Sequence, residues 1–150
     1  MVTPDLDYIA NFLKVFIDSK KAHINIHDIK DAAIVVVRDD DSRRLDEVFL
    51  FHVQLMLENN LISNQDLQSY DLSSIGIRIG VDGCHSISLL PIRLTQTGHD
   101  FAVALNRNDV FEKLKTEFKD APFRTLFDSS QKLLQHYFTK KLDKIMGDGS

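Results

Sequence analysis

The chain has 150 residues, 43% hydrophobic and 27% charged, with a net charge of −4 at pH 7. Six Gly and three Pro residues are too few for a collagen-like or disordered chain, so one compact domain rich in helices is expected. Cys84 is the single cysteine, which excludes an intramolecular disulfide and favours a reducing compartment.

Charge is divided unevenly along the chain. Residues 1–75 carry 7 basic and 13 acidic side chains, a net charge of −6, whereas residues 76–150 carry 11 and 9, a net charge of +2. A polyanion is therefore attracted to the second half and repelled by the first. No apolar run approaches the ~20 residues of a membrane-spanning helix, and Asp5 and Asp7 lie where a signal peptide is basic. We expect a cytoplasmic protein with no membrane partner.

Two helices around a short strand are predicted in the first part of the chain. Asp5 is suited to N-cap a helix over residues 5–19, where apolar side chains recur at helical spacing. A strand is predicted over residues 23–25 and a helix over residues 26–37. The β-branched run at residues 34–37 favours a strand instead.

A third helix is predicted over residues 42–60, with Ser42 as its N-cap. Its outward polar arc is interrupted by Leu50 and Leu57, and apolar side chains cover most of its circumference. The helix is therefore expected to pack on more than one side. Residues 63–73 are polar and are predicted to form a loop.

A β-hairpin and three further helices are predicted in the second half. The predicted elements are strands on either side of an Asp82-Gly83 turn, within residues 75–94, and helices over residues 95–105, 108–119 and 122–146. Thr95 and Asn108 are suited to cap the first two of these helices. Residues 1–146 are predicted as a single domain, in which about 108–146 form a C-terminal helical extension and 147–150 a frayed tail.

This order of elements is typical of a winged helix, an α+β helix-turn-helix domain with a two-stranded β wing. The segment Leu94-Thr95-Gln96-Thr97-Gly98 supports the assignment, because many winged-helix regulators leave the wing through a Leu-Thr-x-x-Gly step. In that step the Leu at the end of the strand packs into the core, and the Thr caps the next helix. The Gly lets that helix lie close to the sheet.

Three segments within roughly residues 45–120 resemble a known family. They are residues 52–62 (HVQLMLENNLI), 91–101 (PIRLTQTGHDF) and 110–115 (VFEKLK), which are similar to the bacterial and phage family catalogued as domain of unknown function 2513. Phe51, Asn59-Asn60 and Phe111 depart from the Tyr, Ala-Gly and Trp that are usual there. The resemblance implies a winged-helix-like fold and a bacterial or phage setting, without an established activity.

Motifs for catalysis or cofactor binding are weak. His99 and Asp100 are adjacent, so on a helix they point about 100° apart and cannot work as an oriented acid–base pair. His23 and His27 have a spacing that suits a metal, but no HExxH or CxxC pattern completes a site. No glycine-rich nucleotide loop is present. We therefore predict a protein that is not an enzyme, with no metal or cofactor.

The sequence favours a DNA-associated regulator, in which the third helix enters the major groove and the wing tracks a neighbouring groove. The candidate nucleic-acid-binding residues are Arg43, Arg44, Gln54, Arg78 and His85. The arginine pair is placed at the start of the predicted third helix, and Gln54 is suited to an adenine edge. Acidic residues on the same arc, Asp46, Glu47 and Glu58, oppose phosphate binding.

The alternative is a winged helix that binds a protein partner and not DNA. It would explain the outward Leu50 and Leu57, and also the wide aromatic stripe of the last helix. That stripe either covers the core or forms a homodimer interface, whose candidate residues are Phe127, Leu134, Tyr137 and Phe138. A two-fold pair would present both third helices to DNA or build a composite groove for a protein.

Overall fold

A computed structural model describes residues 1–148. Within that range the fold is mixed α+β, which confirms the predicted class. Its helices are α1 (Leu6–Asp18), α2 (Ile26–Asp31), α3 (Glu47–Glu58), α4 (Gln96–Leu105), α5 (Asn108–Glu117) and α6 (Phe123–Asp148), together with a 3-10 helix at Leu72–Ile75. Its strands are β1 (Ile62–Asn64), β2 (Ile77–Ile79), β3 (His85–Ile87) and β4 (Ile92–Leu94).

The strands form two antiparallel pairs. β1 pairs with β4, with Ile62 opposite Leu94, and β2 pairs with β3. An isolated bridge adds Ile24 to the first pair, because its N–H donates to the Ile92 carbonyl oxygen at 2.9 Å. β4 therefore lies between Ile24 and β1, while the β2–β3 hairpin is inserted between β1 and β4 along the chain.

The described residues pack into two compact units, residues 1–99 and 100–148, and the division falls within α4. Large buried side chains of the first unit are Phe12, Phe49, Met56, Ile62 and Ile75, and those of the second are Phe101, Leu114 and Leu126. The single domain with an extension from about residue 108 stays a prediction. α6 continues to Asp148, past the predicted helix end at residue 146, and residues 149–150 lie outside the described range, so the frayed tail stays a prediction.

Two predicted helix caps are confirmed. The Asp5 carboxylate accepts the N–H groups of the first turn of α1, and Thr95 Oγ accepts the Gly98 N–H at 2.9 Å. Gly98 also lies against the backbone of Leu61, so close that an added Cβ would be 1.9 Å from the Leu61 carbonyl oxygen. The Leu-Thr-x-x-Gly step therefore joins the start of α4 closely to the start of β1, as its residue types predict.

The predicted helix over residues 26–37 is wrong beyond Asp31. The chain leaves α2 through Ala33, whose φ of 67° lies in the left-handed region. Residues 34–36 then have no regular secondary structure, and Val37 forms a bridge with Leu45. The β-branched side chains prefer an extended backbone, and this preference overrides the helical spacing of the apolar residues. The strand predicted over residues 23–25 is reduced to the single bridge at Ile24.

The predicted start of the third helix is also wrong. Residues 42–44 form a turn that leads into the Val37–Leu45 bridge, in which the Arg38 N–H donates to the Arg44 carbonyl oxygen at 3.0 Å, so no helix starts before Asp46. Asp46 then caps α3 through its carboxylate, which accepts the Phe49 N–H at 3.0 Å. The two arginines at 43 and 44 therefore precede the helix and do not open it.

Three expectations about the middle and end of the chain need correction. The predicted loop over residues 63–73 contains part of β1 and the start of the 3-10 helix. The predicted return strand is two strands, since Ile87 pairs within the hairpin while Ile92 and Leu94 pair with β1. Asn108 is the first residue of α5 and not its cap.

The N-terminus of α1 is tied to α3 through a buried histidine. His52 Nε2 accepts the Asp5 N–H at 3.0 Å, and its Nδ1–H donates to the Val48 carbonyl oxygen at 2.8 Å. The Tyr8 ring stacks on the imidazole at a centroid distance of 4.3 Å. The Tyr8 hydroxyl is buried without a hydrogen-bond partner among the described residues. Burial first, and the Asp46 carboxylate second, raise the pKa of Tyr8 above its ordinary value.

Candidate interaction surfaces

Three of the five candidate nucleic-acid-binding residues meet where the loop before α3 touches the hairpin tip. The Arg43 carbonyl oxygen accepts both the backbone N–H of His85 at 2.9 Å and its Nδ1–H at 2.8 Å. The Arg44 guanidinium donates to the Asp82 carbonyl oxygen at 3.0 Å. Gly83 has a φ of 83° and no Cβ, which leaves room for that guanidinium. We call Arg43, Arg44 and His85 the arginine cluster.

One carboxylate compensates both arginines of this cluster. Asp41 lies 3.0 Å from Arg43 Nε and 3.5 Å from Arg44 Nε. The hydrogen bond from Arg43 is the main reason that the pKa of Asp41 falls to about 2, so Asp41 is ionised at neutral pH. Both guanidinium groups are therefore already paired with the protein, and less of their charge is available to a phosphate.

The solvent face of α3 lacks basic side chains. Its exposed residues include Glu47, Gln54 and Glu58, and the helix contains no Lys or Arg. Leu57, predicted to face outward, is buried, whereas Leu50 is partly exposed. A helix of this kind presents two carboxylates to solvent where a DNA-reading helix presents donors to phosphates and bases.

The other two candidate residues, Gln54 and Arg78, line one open groove. The groove has a volume of about 800 Å³ and lies between α3, the 3-10 helix and β2. Its lining also includes the apolar side chains Tyr70, Leu72, Ile77 and Ile79 and the carboxylates of Glu58 and Asp71. The sequence-based candidates thus fall on two surfaces, the arginine cluster and this α3–β2 groove.

The α3–β2 groove runs along the edge of β2. Ile79 and Arg78 point to opposite faces of the hairpin because they are neighbours on a strand, yet both line the groove. β2 pairs through alternate positions, as shown by the Ser88 N–H to Gly76 carbonyl bond at 2.7 Å and the Gly80 N–H to Cys84 carbonyl bond at 2.8 Å. In this alternation Ile77 and Ile79 direct their backbone N–H and C=O groups away from β3.

The groove residues from Tyr70 to Ser73 were missed by the sequence interpretation, which assigned residues 63–73 to a loop. A local signal was present, because Asp71 caps the 3-10 helix by accepting the Ser74 N–H at 3.1 Å. Gly76, with a φ of 92°, ends it. An Asp followed by a short turn and a Gly in the left-handed region is a pattern that the sequence can show.

The candidate dimer residues divide into packed and exposed groups. Phe127 packs edge-to-face on Phe101 at 5.4 Å, and the Arg107 guanidinium lies 3.4 Å from the centroid of the Tyr137 ring. Leu134 is partly buried, whereas Phe138 is 50% exposed. The exposed apolar stripe of α6 continues with Leu142, Ile145 and Met146. The homodimer itself stays a prediction.

Residues 1–148 contain neither a metal-ligand cluster nor a membrane-spanning helix. No cluster of three or more His, Cys, Asp or Glu side chains that could hold a metal ion is found in that range. In the same range, no helix has both the length and the apolar character needed to cross a membrane.

Comparison with family models, with curated proteins and with solved structures gave no match for this chain. The resemblance to the family of domain of unknown function 2513 therefore stays a prediction.

Proposed function

We propose that this chain is a winged-helix protein that binds an extended segment of a protein partner in the α3–β2 groove. The observation that carries the proposal is the combination of a free strand edge with an acidic α3. At its outer edge β2 offers the backbone groups of the exposed Ile79 to an incoming strand, next to Ile77, which is fully buried. The neighbouring helix face, with Glu47 and Glu58, repels nucleic acid.

The topology supports a winged helix. α1, the Ile24 bridge, α2, α3, β1 and β4 follow one another along the chain, and β4 lies between Ile24 and β1. The β2–β3 hairpin occupies the position of the wing. One departure is the link from α2 to α3, residues 32–46, which is far longer than the 3–4 residues of an ordinary helix-turn-helix. That link supplies the loop that contacts the hairpin tip.

The groove lining defines the chemistry of the partner segment. Added to the edge of β2, the segment would place alternate side chains near the apolar Leu72 and Ile79. Glu58 and Asp71 are exposed carboxylates on the groove wall, whereas Arg78 is the basic side chain among the lining residues. We therefore propose an extended segment with alternating aliphatic residues and at least one Lys or Arg.

Peptide selection on the immobilised full chain tests this function. Peptides selected from a random library are expected to share the aliphatic and basic pattern. Ile79→Glu places a carboxylate in the groove and should weaken binding of these peptides at least tenfold. The matched control is Val81→Glu, because Val81 is fully exposed and does not line the groove. Equal affinity of the two variants, or selected peptides without the pattern, would contradict the proposal.

DNA binding remains a second candidate because the arginine cluster lies at the hairpin tip, where a wing approaches DNA. Its weakness is the pairing of Arg43 and Arg44 with Asp41. If the cluster binds phosphate, Asp41→Asn should increase affinity for duplex DNA, since it removes the competing carboxylate.

Fluorescence anisotropy with a random-sequence duplex at low salt compares the parent, Asp41→Asn, and the double variant Arg43→Ala with Arg44→Ala. The DNA function predicts tighter binding by the first variant, weaker binding by the second, and a smaller salt dependence for the second. Our proposal predicts no measurable binding by the parent protein. Salt-dependent binding that the arginine variant abolishes would favour the DNA function.

A further inference from the structure

A second cavity in the first unit, separate from the α3–β2 groove, has a volume of about 560 Å³. It is bounded by the last turns of α1, the segment that leads to Ile24, β4 and the first turn of α4. One wall is apolar and includes Phe16, Ile17 and Leu94. Neither the sequence interpretation nor the proposed function uses this cavity.

The charge of the cavity is opposite to that of the unit around it. Residues 1–99 carry 9 basic and 14 acidic side chains, a net charge of −5. The cavity lining nevertheless contains two cationic side chains, Lys21 and Arg93, together with His23 and His99, and includes no Asp or Glu. A local group of basic side chains in an acidic unit selects for an anion, because each ligand charge is attracted locally while anions are repelled elsewhere.

The position of Arg93 is fixed by the chain itself. Its Nε donates to the Leu94 carbonyl oxygen at 3.0 Å, and Arg93 lies within the paired strand β4. This bond uses one of the five N–H donors of the guanidinium. The guanidinium is therefore held at the cavity with N–H groups left for a ligand, which lowers the ordering cost of binding.

We propose that this cavity binds a small amphipathic anion. Its carboxylate or phosphate group would accept hydrogen bonds from Lys21 and Arg93. Its apolar body would pack against Phe16, Ile17 and Leu94. The apolar wall excludes a bare inorganic ion as the best ligand, because the burial of apolar ligand surface then contributes to affinity.

Isothermal titration at low salt with three phenyl compounds tests the site. Benzoate and phenyl phosphate carry the two anionic groups on one apolar body, and benzyl alcohol is their neutral control. Benzoate, phenyl phosphate or both should bind at least tenfold more tightly than benzyl alcohol and than inorganic phosphate. The tighter of the two anions shows whether the site prefers a carboxylate or a phosphate group. Comparable affinity for benzyl alcohol or for inorganic phosphate would overturn the proposal, as would no binding of either phenyl anion at millimolar concentration.

Two double variants distinguish binding in this cavity from a general effect of the protein's net charge. Lys21→Gln with Arg93→Gln should weaken binding of the preferred anion about tenfold or more, since each charged contact contributes to affinity. The matched control is Lys20→Gln with Lys30→Gln, which removes the same number of positive charges from exposed positions outside the cavity. All four side chains are exposed, so both variants should keep the parent's circular dichroism and melting temperature. Equal weakening in the two paired variants would show that no site exists.

Discussion

Gly98→Ala should destabilise the protein strongly, although the same change in an exposed helix interior stabilises by about 1 kcal/mol. The new Cβ would lie 1.9 Å from the carbonyl oxygen and 2.8 Å from the carbonyl carbon of Leu61, so backbone must move. Two hydrogen bonds hold that backbone in place. The Thr95 N–H donates to the Leu61 carbonyl oxygen at 3.0 Å, and the Thr95 hydroxyl donates to the Asn60 carbonyl oxygen.

The magnitude follows from these contacts. Two hydrogen bonds weakened by the displacement cost about 1 kcal/mol each, and forced overpacking costs about 1–3 kcal/mol. After subtraction of the alanine propensity, the expected loss is about 2–4 kcal/mol in the free energy of unfolding.

Urea denaturation followed by circular dichroism measures this loss of unfolding free energy. The m-value of the variant should equal that of the parent. Gly147→Ala is the matched control, because a Cβ added there meets nothing within 4 Å, and it should leave stability unchanged or slightly higher. A Gly98→Ala protein within about 0.5 kcal/mol of the parent would refute the close packing of α4 on the start of β1.

Three further predictions concern titration and assembly. The folded pKa of Tyr8 is raised, so its neutral form stabilises the fold fully below about pH 10 and this contribution is lost as pH rises towards the folded pKa. Tyr8→Phe should therefore reduce the alkaline fall in melting temperature, whereas Tyr70→Phe, at a side chain 79% exposed, should not. The folded pKa of Asp41 is about 2, so the stabilisation by its carboxylate is complete above about pH 4 and is lost as the pH falls to about 2. Asp41→Asn should therefore reduce the loss of stability between about pH 4 and about pH 2. An unchanged acid transition would show that the pairing of Asp41 with the arginines does not stabilise the fold. If α6 forms a homodimer, Phe138→Asp with Leu142→Asp should convert a dimer into a folded monomer in light scattering, and a parent that is monomeric at tens of micromolar would end the dimer prediction.

Features that depend on near neighbours in sequence were predictable. The Asp5 and Thr95 caps and the close approach at Gly98 each follow from residue type over three or four positions. The acidic character of α3 was also visible, because Glu47 and Glu58 flank an apolar run. The sequence thus contained both the argument for a winged helix and the charge argument against DNA.

Features that depend on long-range pairing were not predictable. Ser42 is a suitable helix cap, but the chain turns at residues 42–44 to form the bridge between Val37 and Leu45, and the cap is Asp46. The α3–β2 groove likewise joins segments that are at least 19 residues apart, and the paired residues of β1 and β4 are 28 to 32 residues apart. The arginine cluster arises from the contact of Arg43 with His85, 42 residues away.

Amide hydrogen exchange of β2, measured by NMR with and without a selected peptide, tests the proposed partner site most directly. Without peptide, the amide of the exposed Ile79 should exchange faster than that of Arg78, because Arg78 pairs with Ser86 on β3. Bound peptide should slow exchange at Ile79 at least ten times more than it slows exchange at Arg78. Unchanged exchange at Ile79 under saturating peptide would contradict the strand-edge site.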